Sequence, residues 1–304
     1  MGEDFNMLMT NAFIALCKRM KGIPDSLRNL GYEIEGIESE FAIGNNKKCN
    51  PDIVISSSKT KHSMVIEFKS GANIEDEQKQ RYLMINSDIL RDYALIPIDR
   101  LSTFDIAYVC KEEHKQTIEQ GLNGTGFAIL LKMADRIEAS ANTTLKNDDT
   151  DASFKPLLVN WEKMPVSFYP FDKDCSSKLI ADYIMQQIFD FMAEEKNSLL
   201  VDEVLEKVFV HWRKIGKHKQ QELRQKAKEV MQLAGRYEFS RFLQYNAQQS
   251  RKGTCARFDV TSNPFIDNRD RRQKVWKDMN KLLESFLARL EGNITPTLFD
   301  NVES

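Results

Sequence analysis

Residues 50–69, NPDIVISSSKTKHSMVIEFK, decide the fold of the N-terminal half of this chain. Two runs rich in β-branched and other apolar residues, 52–58 and 62–69, are separated by a short polar Ser/Lys/Thr segment. These runs predict two consecutive strands of one sheet. Because side chains alternate along a strand, Glu67 and Lys69 share one face while Phe68 points into the core.

Carboxylates on the two predicted strands give this segment its chemistry. Asp52 and Glu67 can converge on one divalent cation, to which the Phe68 carbonyl can add a third oxygen. Lys69 lies on the same face as Glu67, where an ammonium group can orient an attacking water or stabilise charge on a phosphate. We therefore expect a Mg²⁺ site, with Mn²⁺ as a substitute, in which Asp52, Glu67 and Lys69 are catalytic.

Periodic patterns on both sides extend this pair of strands into an α/β domain. Ile37, Phe41 and Ile43 alternate with Glu38 and Glu40, which predicts a half-buried strand that carries both carboxylates on one face. Helical periodicity predicts helices over 5–20, 74–93 and 112–122. Apolar runs predict strands over 104–110 and 127–132. The order αβββαβαβ implies a mixed sheet with helices packed on its faces.

These residues resemble the PD-(D/E)XK nuclease superfamily. Pro51-Asp52 corresponds to its PD, and Glu67-Phe68-Lys69 corresponds to its (D/E)XK. The resemblance covers roughly residues 1–135 and includes the family's order of elements. It implies a metal-dependent nuclease with a restriction-endonuclease-like mixed central sheet flanked by helices. Members often carry a further acidic metal-site residue upstream, which would be Glu38 or Glu40 here.

A second feature, Gln78 with Tyr82, is similar to the QxxxY motif of RecB-like members. Positions i and i+4 lie on one face of a helix, so both side chains can lean toward the site, and we include both among the candidate catalytic residues. The clustered C-terminal cysteines of many RecB-like members are missing. The resemblance therefore implies no iron–sulfur cluster.

Each half of the motif also has an ordinary structural explanation. Pro51 can simply begin a strand, and Glu67 with Lys69 can form a solvated cross-strand face. Gln78 and Tyr82 can be helix-surface residues. The placement of both halves on neighbouring predicted strands, followed by a helix, favours the nuclease.

The sequence predicts a second domain after a polar, acidic stretch. We place a nuclease domain at 1–141, a linker at 142–155 and a helical domain at 156–304. Three predicted helices precede two predicted strands and a last helix, at 177–194, 201–212, 217–234, 238–245, 254–260 and 270–290. Three helices followed by a hairpin is the order of a winged helix, so we expect a mainly α, winged-helix-like domain.

Basic residues are concentrated in this second domain. The predicted helix 217–234 and the hairpin loop supply candidate nucleic-acid contacts: Lys217, Lys219, Gln221, Arg224, Lys228, Arg251 and Lys252. A charge run on a helix is also typical of a solvated side, and the same face can equally dock a protein partner.

Composition limits the class of protein but does not identify a substrate. A net charge of -2 and a pI near 6.2 give no global sign of a nucleic-acid partner. No apolar run is long enough to span a bilayer, no secretory signal is recognisable and the five cysteines have no CxxC spacing, so we expect a cytoplasmic protein without a zinc site.

Together these features predict a Mg²⁺-dependent endonuclease acting on DNA, in prokaryotic defence, restriction or mobile-element processing. An RNA-directed nuclease and a non-cleaving nucleic-acid-binding or assembly subunit are the alternatives. A protein partner in a multi-subunit system and a homo-oligomer remain open.

Overall fold

The computed structural model describes residues 4–44, 47–94, 96–247 and 256–292. The chain divides into two compact units. Unit 1 comprises Met1–Tyr169 and Arg213–Gln220, and unit 2 comprises Pro170–Trp212 and Gln221–Ser304. The segment 213–220 therefore packs with a unit that otherwise ends more than forty residues earlier in the chain.

A mixed seven-stranded sheet is the centre of unit 1, with strand order β1-β4-β5-β6-β7-β8-β9. The strands β1, β4 and β5 pair antiparallel, β5, β6 and β7 pair parallel, and β8 and β9 return antiparallel. Strands β2 and β3 form a separate small hairpin. The bounds of β1 to β9 are Tyr32–Ile37, Phe41–Ala42, Lys48–Cys49, Ile53–Ser57, His62–Lys69, Thr103–Lys111, Ala128–Lys132, Arg136–Ala139 and Leu157–Leu158.

Helices of unit 1 supply side chains to both faces of the sheet. Asp4 caps the first helix, α1, whose Phe13 lies 5.8 Å from the Phe68 ring, centroid to centroid. A second buried cluster joins Val65 and Tyr108 of the sheet to Tyr82, Leu90 and Ile118 of later helices. The helices α1 to α6 are Phe5–Leu16, Ser26–Asn29, Asp76–Leu83, Ser87–Tyr93, Lys115–Gly121 and Asp148–Ser153. The mixed α/β architecture predicted from the sequence is confirmed.

Two predicted elements are divided in the structure. The expected helix 74–93 is two helices, α3 and α4, because the Asn86 side chain accepts from the Ile89 amide and caps a new start. The expected strand 37–43 is also wrong: β1 ends at Ile37, and Glu38 adopts a positive φ of 46° that interrupts the extended chain. Glu38 and Glu40 therefore lie between strands and share no strand face.

The predicted linker 142–155 is folded into unit 1, so the boundary drawn there is wrong. It contains α6, in which Thr150 Oγ1 lies 2.7 Å from the buried Tyr32 hydroxyl. Tyr32 also contacts His62, whose other ring nitrogen lies 3.0 Å from Asp105. Polar residues predicted a loop here, but several of them satisfy buried hydrogen bonds of the core instead.

Unit 2 is mainly helical and has a three-stranded antiparallel sheet of order β10-β12-β11. Its strands are Ser198–Leu200, Leu243–Tyr245 and Arg257–Val260. The helices α7 to α11 are Ser177–Ala193, Val201–Val208, Lys217–Arg236, Pro264–Asp267 and Arg272–Gly292, and the first turn of α9 belongs to unit 1. The predicted strands were longer than observed, and β10 was not predicted.

Some predicted features lie outside the described residues, among them the candidate nucleic-acid contacts Arg251 and Lys252 and the cysteine Cys255. The other four cysteines are free thiols. In the described ranges, every helix is too short or too polar to span a lipid bilayer.

Burial of the segment 142–155, which the sequence predicted to be a linker, can be tested at Phe154, a fully buried residue. We expect Phe154→Ala to lower the free energy of unfolding by about 3–5 kcal/mol, because it leaves a cavity. Asp149→Ala, at an exposed position of α6, should change it by less than about 0.5 kcal/mol. Urea denaturation measures both, and equal values would contradict the packing described here.

Candidate active site

Asp52 lies beside the ends of three neighbouring strands, β1, β4 and β5. The antiparallel register of β4 and β5 begins at Ile53 opposite Ile66, so Asp52 comes next to Glu67. Its Oδ2 accepts a hydrogen bond from the Phe68 amide at 2.5 Å, and its carbonyl accepts one from the Glu38 amide at 2.9 Å. Asp52 is thus held through its side chain on one side and its main chain on the other.

Glu67 and Lys69 project from β5 onto the same face, as alternation along the strand predicts. Glu67 is 7% exposed, and its Oε1 lies 3.3 Å from the Lys69 ammonium. Phe68, between them, points to the opposite face and contacts Phe13 of α1. The strand therefore presents an anion and a cation side by side next to Asp52.

Gln78 of α3 bridges this anion and cation. Its Oε1 accepts from Lys69 Nζ at 2.5 Å, and its Nε2 donates to Glu67 Oε1 at 2.6 Å. Because the amide must face a cation with its oxygen and an anion with its nitrogen, only one orientation satisfies both partners. Gln78 thereby fixes the separation of Lys69 and Glu67.

Tyr82 lies one helical turn after Gln78 and donates its hydroxyl proton to Glu67 Oε2. The residue is buried, with 1% exposure. Burial, and after it the charge of Glu67, raises the pKa of Tyr82 well above its usual range. The Tyr82 hydroxyl therefore stays protonated and acts as a donor.

Electrostatics at Asp52 reflect the second carboxylate nearby. Burial, followed by the negative charge of Glu67, raises the pKa of Asp52 well above its usual range. The Phe68 amide and the Lys69 ammonium act in the opposite direction and do not cancel this effect. The folded protein therefore holds two carboxylates in a place that disfavours two negative charges.

Tyr108 is a site residue that the sequence did not predict. It lies on β6 directly opposite Glu67. Its buried hydroxyl has no hydrogen-bond partner within the residues that the structure describes. Burial, followed by the charge of Glu67, raises the pKa of Tyr108, so this hydroxyl is a protonated donor. A buried donor without a partner costs free energy unless water or a ligand satisfies it.

The donor set fits a hydrated hard cation. Among the described residues, no three side chains of His, Cys, Asp or Glu are grouped closely enough to hold a metal ion. Mg²⁺ is usually bound through one or two carboxylates and keeps several waters, so Asp52, Glu67 and the Phe68 carbonyl are a sufficient protein contribution. The unpartnered Tyr108 hydroxyl also fits, since it can bond to such a water.

The two upstream acids differ in their surroundings. Glu38 follows β1 directly, and its charge is one of those that raise the pKa of Asp52. Its carboxylate contacts Tyr169 and Lys219. Glu40 instead pairs with Lys48 of the small hairpin at 2.8 Å. Of the two, the structure brings Glu38 to Asp52.

One of the candidate nucleic-acid contacts on α9, Lys219, is buried in the structure. Lys219 is only 6% exposed and pairs with Glu38, so its expected contact with nucleic acid is wrong. Arg224 pairs with Asp202 at 2.5 Å, and the Lys228 ammonium lies 5.4 Å from the centre of the Tyr245 ring. Lys217 and Gln221 are exposed as expected.

Two family matches divide the chain near the boundary between the units. The MJECL32 domain matches residues 6–169, and a domain of unknown function, DUF8601, matches residues 172–257. No curated protein and no solved structure gives a significant match. Neither description states an activity.

Repulsion between the carboxylates of Asp52 and Glu67 predicts that Asp52→Asn changes the stability of the folded protein. A carboxyl whose pKa is raised on folding stabilises the fold at low pH, and this contribution is lost as the pH rises through the folded pKa. Asparagine can still accept from the Phe68 amide but carries no charge. At neutral pH in EDTA we expect Asp52→Asn to be more stable than wild type, by on the order of 1 kcal/mol.

Thermal unfolding with and without millimolar Mg²⁺ checks this prediction. Mg²⁺ should raise the melting temperature of the wild type and leave that of Asp52→Asn unchanged, because ligand binding stabilises only a fold that binds it. Asp149→Asn, at an exposed position, is the matched control and should respond to Mg²⁺ like wild type. An equal Mg²⁺ response in Asp52→Asn would contradict the metal assignment.

Proposed function

The chain belongs to the MJECL32 domain family, and we propose from the geometry of its site that it is a metal-dependent endonuclease that hydrolyses phosphodiester bonds in DNA. The observation that carries this proposal is the closed network beside Asp52, in which Gln78 joins Lys69 to Glu67 and Tyr82 holds the other oxygen of Glu67. A surface ion pair needs no such support, whereas a reactive site needs its groups held in place.

In this proposal Asp52 and Glu67 hold Mg²⁺ or Mn²⁺, with the Phe68 carbonyl as a third oxygen. Bound at this place, the ion supplies a nucleophilic water and stabilises charge on the phosphate. Asp52 is kept in position by the Phe68 amide, and Glu67 by Gln78 and Tyr82. These side chains therefore arrive at the reaction in a fixed geometry.

Lys69 acts on the attacking water and the phosphate. Its ammonium donates to Gln78 Oε1 at 2.5 Å and forms an ion pair with Glu67 Oε1 at 3.3 Å, and it has further N–H groups for a reactant. A cation fixed at this point can orient the water and stabilise negative charge as it develops on the phosphate. Gln78 and Tyr82 are positioning residues in this scheme.

The strand order supports a restriction-endonuclease-like core, which we propose for unit 1. An antiparallel meander of β1, β4 and β5 carries the acidic residues, and a helix and the parallel strand β6 follow. This agrees with the order of elements in the PD-(D/E)XK superfamily, which the motif residues resemble.

For unit 2 we propose a winged-helix-like domain. Its elements follow the order α7, β10, α8, α9, β11, β12, and the sheet order is β10-β12-β11. Nucleic acid would contact unit 2 through Gln221, Arg224 and Lys228 of α9. Lys217, which belongs to unit 1, is exposed and is a separate candidate contact. The first turn of α9 packs in unit 1, so base reading by that turn, usual for a recognition helix, is not part of the proposal.

The biological setting that we propose is prokaryotic defence, restriction or mobile-element processing, in the cytoplasm. RNA hydrolysis would use the same residues, and a non-cleaving binding or assembly role would not need the Lys69 network. Both are outcomes of the experiment below. Association with a protein partner or a second copy would add to this function without changing the chemistry.

Cleavage by wild type and Lys69→Ala tests the catalytic assignment. Linear, circular and single-stranded DNA and RNA are each incubated with Mg²⁺ or EDTA. Wild type should cut DNA only with Mg²⁺, and Lys69→Ala should be slower by about 10²–10³-fold, because it lacks the charge that stabilises the transition state.

Lys79→Ala is the matched control for this experiment. Lys79 lies on the same helix as Gln78 but pairs with Asp76 at 2.6 Å, outside the network. It should cut like wild type. If Lys69→Ala, folded and at equal concentration, cuts every substrate as fast as Lys79→Ala does, Lys69 is not catalytic. Cleavage of RNA alone would replace DNA as the substrate.

Lys217→Ala tests the nucleic-acid face of α9. Lys217 is exposed, and loss of one phosphate contact should weaken binding and reduce the slope of log affinity against log salt by about 0.9. The control is Lys59→Ala, an exposed lysine at the opposite end of β5 from Lys69. Salt titrations of DNA binding in Ca²⁺ measure the slope for both variants. If Lys217→Ala and Lys59→Ala give the same slope, Lys217 of α9 does not contact the nucleic acid.

A further inference from the structure

The segment Arg213–Gln220 extends unit 1 at the end of β1. Ile215 forms a parallel bridge with Ile37, and the Gly216 amide donates to the Ile37 carbonyl at 2.8 Å. Lys214 adds an ion pair with Glu35 of β1 at 3.0 Å. The segment is therefore joined by main-chain and side-chain contacts to the strand that leads into Glu38.

Glycine at position 216 allows this segment to approach Glu38 closely. A Cβ atom there would lie 2.1 Å from the Glu38 carbonyl oxygen, which no real side chain tolerates. Glu38 itself adopts a φ of 46°, a conformation that non-glycine residues rarely adopt and that costs free energy. The packing of 213–220 thus coincides with a strained residue adjacent to Asp52.

Lys219 reaches the Glu38 carboxylate from this segment. Its ammonium lies 3.0 Å from Glu38 Oε2, while the Tyr169 hydroxyl donates to Glu38 Oε1 at 2.9 Å. A lysine with 6% exposure is costly to bury unless it is paired, so this contact contributes to the conformation of both side chains. Both oxygens of Glu38 are engaged by residues from outside the motif.

We propose that Lys219 is a positioning residue of the nuclease site, which holds Glu38 beside Asp52 as an outer-sphere carboxylate of the bound divalent cation. The inference rests on the function proposed above. Glu38, Asp52 and Glu67 are not grouped closely enough to be three direct ligands of one metal ion. In this inference Glu38 therefore accepts hydrogen bonds from water bound to the ion. Residues 213–220, matched to a different family from residues 6–169, then complete the site.

Mn²⁺ binding by the full-length chain, without nucleic acid, tests this inference. Calorimetric titration compares wild type with Lys219→Met, which keeps the aliphatic length and removes the charge. We expect Lys219→Met to bind Mn²⁺ about 10–100-fold more weakly, as is typical when an outer-shell partner of a metal site is lost. Lys219→Arg retains the charge and should recover part of the affinity.

The matched control is Lys226→Met, on the same helix, where the lysine pairs with Glu229 at 3.9 Å. It should bind Mn²⁺ like wild type. Thermal unfolding in EDTA establishes that each variant is folded. Should Lys219→Met fail to fold, Glu38→Gln takes its place, because it removes the charge at the same point and keeps the size of the side chain.

The outcomes separate this inference from the proposed function. If wild type binds Mn²⁺ and Asp52→Asn does not, the site stands, and wild-type or tighter affinity in folded Lys219→Met then overturns the role of Lys219 alone. Wild-type affinity in Glu38→Gln overturns it as well. If wild type binds no Mn²⁺, the proposed function fails, and the inference fails with it.

Discussion

The antiparallel pairing of β4 with β5 brings two carboxylates together, and the other features of the site depend on that proximity. Asp52 and Glu67 come next to one another at the end of the paired strands, where burial and mutual repulsion raise the pKa of Asp52. A fold optimised for stability alone would not keep two such charges there. Such a pair, with hydrogen-bond donors directed at each carboxylate, supports the cation site proposed above.

Both carboxylate oxygens of Glu67 are held by hydrogen bonds from α3. Gln78 connects Glu67 to Lys69 and can do so in one orientation only, and the Tyr82 hydroxyl donates a hydrogen bond to the other carboxylate oxygen. The hydroxyl of Tyr108, buried opposite Glu67, is the one feature here that the described protein atoms leave unsatisfied. Hydration of a bound ion would satisfy it, which connects the electrostatic and hydrogen-bonding arguments.

Glu38 connects this site to a distant part of the chain. Its amide binds the Asp52 carbonyl, and its carboxylate contacts Tyr169 and Lys219. Lys219 was expected on a nucleic-acid-binding surface, yet it is buried and paired with Glu38 inside unit 1. In α9, Lys219 is thus a buried ion-pair partner of Glu38, whereas Lys217 and Gln221 are exposed.

Local patterns in the sequence were sufficient for the strands β4 and β5, for the face shared by Glu67 and Lys69, and for the i, i+4 relation of Gln78 and Tyr82. Each of these depends on neighbours within a few residues, where periodicity alone dictates direction. The choice of Glu38 over Glu40, the contribution of Tyr108, the folding of 142–155 into the core and the burial of Lys219 were not accessible in this way. They depend on strand order and on packing between segments far apart in the chain, and these contacts leave no periodic signal in the sequence.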